Sequence, residues 1–354
     1  MIPYFYYTMK YSIILLLVLM QLSLLAQKKP QQKNTGGIKN ELVQKTELLN
    51  TKYFVFTSNP ELNAHLFLYN KAMGCKFKKT SNDSLAYYSF KDKLKAFTPK
   101  DLVSLNEVVL FYKDSILSKD LLFDSLMRDF TDYLSLGLNP AKAWQQRAME
   151  KLKSFQPYFN KLYWKPIDAA NRAWIAANKM QITKLEPVIV PELEKVYQSN
   201  LPESKVYIDL VSYATWAGAY SFEDGFAHLI FSTEHSTNKT ELAPEIIFHE
   251  ASHFLIAKLN KQIKIAINGR DIRQSISLWH NLIFYTTGYM MQKQMSKEAK
   301  AYEPYYVKMK MEEKFAEFKT TAEVCRTYWN PYLDGQGSFE EAVKNVVDHL
   351  LQKK

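Results

Sequence analysis

The chain is 354 residues long, with 47% apolar, 14% aromatic and 23% charged residues. That composition supplies a large core and excludes a disordered, collagen-like or low-complexity protein. Two Cys exclude a disulfide-built scaffold and any four-thiolate zinc module, and the formal charge of +10 leaves a nucleic-acid binder open until the charge distribution is read.

Lys10 precedes an apolar run from Ile13 to Leu25, followed by Ala26 and the polar Gln27-Lys28-Lys29-Pro30. A basic start, a short apolar core and a small residue before a polar break make residues 1–26 a secretory signal peptide, with Met9 an alternative start. The run is shorter than the roughly 20 residues a membrane span needs. The expectation is therefore an exported chain, periplasmic or extracellular, with no stable membrane span after cleavage. No Cys stands near the break, which disfavours a lipid anchor, and loss of Lys10 takes the charge from +10 to +9. In an oxidising compartment Cys75 and Cys325 could pair, although nothing local brings them together. Asn238-Lys239-Thr240 matches a glycosylation acceptor.

Residues 27–45 are rich in Lys, Gln, Asn and Gly and read as a flexible lead-in. From 46 to 195 the pattern predicts an all-α domain. Leu102, Leu105, Val109 and Tyr112 form one stripe after Thr98-Pro99. Trp144, Ala148, Leu152, Phe155, Phe159 and Leu162 form a second, and Ile167, Ala170, Trp174, Ala177 and Met180 a third. All three are read as core. Pro187 and Pro191 predict a linker or domain seam. After it, residues 196–354 are expected to form an α+β domain. Strands are predicted at Val206–Val211, within Tyr213–Tyr220 and over 227–232. An apolar helix is predicted from Leu242 to Leu259, with further helices near 272–294, 296–318 and 338–352.

The predicted Leu242–Leu259 helix carries Phe248-His249-Glu250-Ala251-Ser252-His253-Phe254, an H-E-x-x-H motif. Residues four apart share a helix face, so His249 and His253 can supply two corners of a tetrahedral zinc site. Glu250 can then take a proton from an activated water and pass it to a leaving amine. Burying two His and one Glu among Ile246, Ile247, Phe248, Phe254, Leu255 and Ile256 is costly unless a partner such as a metal satisfies them.

This segment resembles the active-site helix of the zincin metallopeptidases, and the strand predicted at 227–232 resembles the one that precedes it there. The resemblance is strong over 244–256 and extends over about 200–350. It implies a zincin-like domain with a small sheet, Zn2+ bound by His249 and His253, and Glu250 as general base. Ile256 and Leu259 stand where the metzincin branch needs Gly and His, which excludes that branch. A gluzincin would take its third ligand from a later Glu, yet no Glu occurs between 254 and 297. The candidates for the third ligand are His280, Asp271, Glu298 and Glu303. His280 is preferred because it stands out as a polar, ligating residue in the apolar run Ser277–Tyr285.

Stabilising a tetrahedral oxyanion calls for a further donor. Tyr285, five residues past His280 and roughly 140° around the same helix, is the first candidate; Tyr289, Tyr302, Tyr305 and Tyr306 compete with it. The strip Tyr213–Tyr220 is a candidate edge strand on which an extended peptide could dock. His228 and His235 are not spaced like ligands, and His65 and His349 read as surface or cap residues.

Lys is dispersed rather than gathered into one run, and no nucleic-acid motif appears, so nucleic acid is not the expected partner. The expectation is an exported zinc metallopeptidase acting on a peptide or protein substrate. The alternative is a non-catalytic zincin-fold protein whose helical half binds a partner.

Overall fold

The computed structural model describes residues 45–76, 81–222, 226–270 and 275–352. The expected signal peptide and nearly all of the lead-in lie outside the described residues, as does Asp271. The chain is helix-rich α+β with one small mixed sheet. It divides into two compact units, Glu41–Val188 with Leu201–Phe254, and Ile189–Asn200 with Leu255–Lys354.

The first unit is built on a five-stranded sheet in the order β1-β2-β3-β5-β4. The strands are β1 (Thr46–Asn50), β2 (Phe54–Ser58), β3 (Val206–Val211), β4 (Ala219–Ser221) and β5 (His228–Ser232). β2, β3 and β5 run parallel, while β1 and β4 close the two sides antiparallel. The all-α expectation from residue 46 is thus corrected at its start. β2 is buried on both faces and shows none of the alternation that betrays a half-exposed strand.

Alternation through the sheet sorts its side chains into two layers. Val211, Tyr220, Phe222 and Ile230 pack into the core of the helices Pro60–Lys76, Pro99–Phe111, Ser125–Leu136 and Ala143–Phe159. On the other face Phe54 meets Phe248 at 6.2 Å, and Trp174 meets Phe56 at 6.3 Å and Phe231 at 4.9 Å. Thr98 caps the Pro99–Phe111 helix in a reciprocal box with Asp101, the start its sequence predicts.

A seam does fall at Pro187 and Pro191, since the division between the two units comes between Val188 and Ile189, but the two prolines do not mark a linker. They lie within one unbroken helix, Lys165–Tyr197. Four residues apart, both sit on its exposed side, where the carbonyls they leave unbonded can turn to water. The third predicted stripe is also corrected: Ala177 is exposed and Met180 is 81% exposed. The buried face runs instead through Asn171, Trp174, Ile175, Ile182, Leu185 and Glu186. Two polar residues disguise it. Asn171 donates to Ser58 Oγ at 2.9 Å, and Glu186 accepts from Thr51 Oγ1 at 2.8 Å.

Asn238 is buried, and its amide donates to the carbonyls of Gly218 (2.9 Å) and Ser232 (2.8 Å). It brackets the approach to β4 against the end of β5 and is not available to a sugar. Cys75 and Cys325 are free, buried thiols.

The second unit is helical. Ala257–Ile267 packs against Phe339–Gln352, and Ser275–Lys297 against Ala316–Val324. Trp329 fills its centre and donates to Thr286 Oγ1 at 2.9 Å. Gly288 is required there: a Cβ would lie 2.8 Å from the Tyr306 ring and 2.9 Å from Pro304. The helix predicted over 296–318 breaks up. Ala299 and Lys310 turn left-handed, leaving only the short turns Tyr305–Lys308 and Met311–Lys314 before Ala316.

Candidate metal centre

The motif helix spans Ala243–Ser252, and every residue in it is buried. It is shorter than predicted: the chain turns through residues 253–256 and re-enters a helix at Ala257. His253 sits on the last helical turn at φ −58°, ψ −27°, so the four-residue relation to His249 survives. The two imidazole centroids are 5.3 Å apart with planes at 84°, edge to face.

His280 lies on the Ser275–Lys297 helix, half-buried beside the rings of Trp279 (5.1 Å) and Phe284 (4.8 Å). His249, His253 and His280 each offer a ring nitrogen to one group whose atoms all lie within 4.8 Å of one another. Three neutral imidazoles suit zinc. Nitrogens bound at about 2.0–2.1 Å in tetrahedral geometry stand roughly 3.4 Å apart. The donor set could therefore hold a metal ion. Of the other ligand candidates, Glu298 pairs with Lys300 at 3.3 Å and Glu303 is exposed.

Glu250 is 8% exposed. Its Oε2 accepts a hydrogen bond from Ser221 Oγ at 2.8 Å and lies 4.0 Å from His253 Nε2. Burial pushes the carboxyl above its ordinary range; the neighbouring His253 and the Ser221 bond pull it back without cancelling that rise. Ser221 carries no motif in the sequence. Its only signal is a hydroxyl between Tyr220 and Phe222, which alternation places on the opposite face from both.

Tyr285 is placed differently from its expected role. Its hydroxyl donates to Asn330 Oδ1 at 3.1 Å, and its ring stacks between Tyr289 (6.4 Å) and Tyr306 (5.4 Å). Burial, with Cys325 and Tyr306 nearby, pushes its hydroxyl pKa well up. None of these neighbours belongs to the histidine group. The strip expected as an edge strand is largely a loop: β4 begins only at Ala219, and Trp216 before it is 71% exposed.

The remaining histidines are occupied elsewhere. His228 is buried between Asp209 (Nδ1, 3.1 Å) and Asp132 (Nε2, 2.6 Å). His65, expected at the surface, is buried with Nδ1 3.1 Å from Tyr112 Oη, and burial drives its pKa down to about 3. His235 meets Thr237, and His349 stacks on Tyr328 at 3.8 Å. No protein-family model, curated protein or solved structure matches this chain.

Proposed function

We propose that this chain is an exported, zinc-dependent hydrolase of the zincin type that cleaves peptide bonds. The observation that carries the reading is the convergence of His249, His253 and His280 beside the buried carboxylate of Glu250. A bound zinc ion would supply a Lewis acid and a water acidic enough to react at neutral pH. His249, His253 and His280 would hold it through neutral imidazoles. Glu250 receives the proton of the attacking water on its carboxylate and returns it to the departing amine, so the base ends the cycle as it began.

The test is paired. Elemental analysis of the purified protein should find about one zinc per chain at a chelator-accessible site. Glu250→Gln should retain the metal and abolish cleavage across a broad peptide panel. Metal binding without turnover in the wild-type chain would turn the reading to a partner-binding protein. No bound metal would remove it.

A further inference from the structure

We infer that Ser221 is the positioning residue of Glu250: its hydroxyl pins one carboxylate oxygen so that the other is presented for proton transfer. The inference rests on the hydrolase reading above.

A buried carboxylate accepts hydrogen bonds through both oxygens, and with few donors it is free to swing about its last torsion. Glu250 has one hydroxyl donor, Ser221 Oγ, at 2.8 Å from Oε2. The same Oε2 faces His253 Nε2 at 4.0 Å. Among the described residues Oε1 accepts no hydrogen bond. The two oxygens are therefore unequal: one is anchored and the other is uncommitted. A general base with this division of labour keeps its proton-accepting oxygen in one place, as positioned proton transfer demands.

Ser221 can anchor because it cannot move. It lies on β4 in antiparallel register with Leu229 of β5, and it is 6% exposed. Its neighbour Tyr220 is locked into the helical core on the opposite face. The chain enters β4 through Gly218 at φ +82°, and a Cβ there would lie 2.4 Å from the His235 ring. The Gly218 carbonyl is held by Ser232 N at 2.8 Å and Asn238 Nδ2 at 2.9 Å. The donor is thus fixed before any substrate arrives, which is where a supporting hydroxyl is most effective.

The experiment compares Ser221→Ala and Ser221→Thr with wild type and Glu250→Gln, reading metal affinity by chelator competition, thermal unfolding of the metal-free protein, and kcat and KM separately on a cleaved peptide. Ser221→Ala should bind zinc within about threefold of wild type, because Ser221 touches no ligand nitrogen. It should lose about 10- to 100-fold in kcat with KM unchanged. Ser221→Thr keeps the hydroxyl and should recover most of the loss. A Ser221→Ala enzyme within twofold of wild-type kcat, alongside a dead Glu250→Gln, overturns the inference and leaves the hydrolase reading intact. Equal losses in Ala and Thr together with lost metal or lowered melting assign Ser221 to the fold alone. A wild-type protein that holds zinc and cleaves nothing ends the hydrolase reading, and this inference with it.

Discussion

His228 and the group His249, His253 and His280 solve the problem of a buried imidazole in opposite ways. His228 has both ring nitrogens committed to carboxylates, Asp132 at 2.6 Å and Asp209 at 3.1 Å. Asp209 is itself saturated by Thr57 Oγ1 (2.6 Å), Ser135 Oγ (2.5 Å) and Lys45 Nζ (3.4 Å). This ladder joins β2, β3, β5 and the Ser125–Leu136 helix, and it leaves no nitrogen for a ligand. At the other site the nitrogens gather on one another, with the Glu250 carboxylate alongside. Three imidazoles offering nitrogens to one point are a group that could hold a metal ion. A clamped histidine supports the fold, and on the reading proposed above the convergent set supports chemistry.

Breaking the convergent site should produce the largest effects. Glu250→Gln should lower peptide cleavage by about 10²- to 10⁴-fold, the range of a lost general base, while zinc content stays at wild type. His280→Ala should weaken zinc binding by more than about 100-fold, the upper range seen when only an outer partner of a ligand is lost. Chelator competition would measure it, with Glu298→Ala and Glu303→Ala as controls that leave binding unchanged. His228→Asn should likewise leave zinc content unchanged, which separates the two kinds of histidine in one assay.

The clamped site should answer in stability. Asp209→Ala strands His228 and Lys45 beside a missing charge, and breaking a buried ionic network in this way costs about 3–5 kcal/mol. Urea unfolding of the metal-free protein would show it. A loss below about 1 kcal/mol would mean that the ladder does not hold the layers together. The pH dependence has a fixed sign. Burial alone would lower the His228 pKa, but the bonds from Asp132 and Asp209 raise it above its usual value. Its contribution is therefore full below the unfolded value near about 6.5 and is lost as pH rises through the raised folded value. Burial alone would raise the Asp209 pKa, but Lys45, His228 and Ser135 depress it. Its contribution is full above the unfolded value near about 3.9 and is lost as pH falls through the depressed folded value. The ladder is strongest between those limits, and His228→Asn should flatten the alkaline side of the stability curve.

The two regions also differ in how far they could be read from the chain. His249, Glu250 and His253 are local in sequence, so spacing alone proposes them, and His280 stands out as a lone ligand type in an apolar helix. The ladder was illegible because its partners are distant: Asp132 and His228 are 96 residues apart, and Thr57 and Asp209 are 152 apart. Only strand pairing and layer packing bring them together. Ser221 was hidden for the same reason, since its register on β5 decides which face it presents. β2 and the Lys165–Tyr197 helix defy local rules because burial overrides them: an apolar run without alternation, and two prolines on a solvent-facing side.

Tyr285 marks where reasoning from spacing stops. Five residues past His280, it was the natural donor for an oxyanion, yet a rotation of roughly 140° about the helix carries it toward a different set of neighbours. There its hydroxyl is spent on Asn330 at 3.1 Å, among Tyr289, Tyr306 and Cys325. A hydroxyl serving that bond contributes to stability. Tyr285→Phe should therefore destabilise the protein by about 0.5–1.5 kcal/mol, the net worth of one hydrogen bond, and leave kcat within about twofold of wild type. A tenfold or greater fall in kcat at unchanged stability would return Tyr285 to the convergent site, because a transition-state donor is felt in rate and hardly in folding.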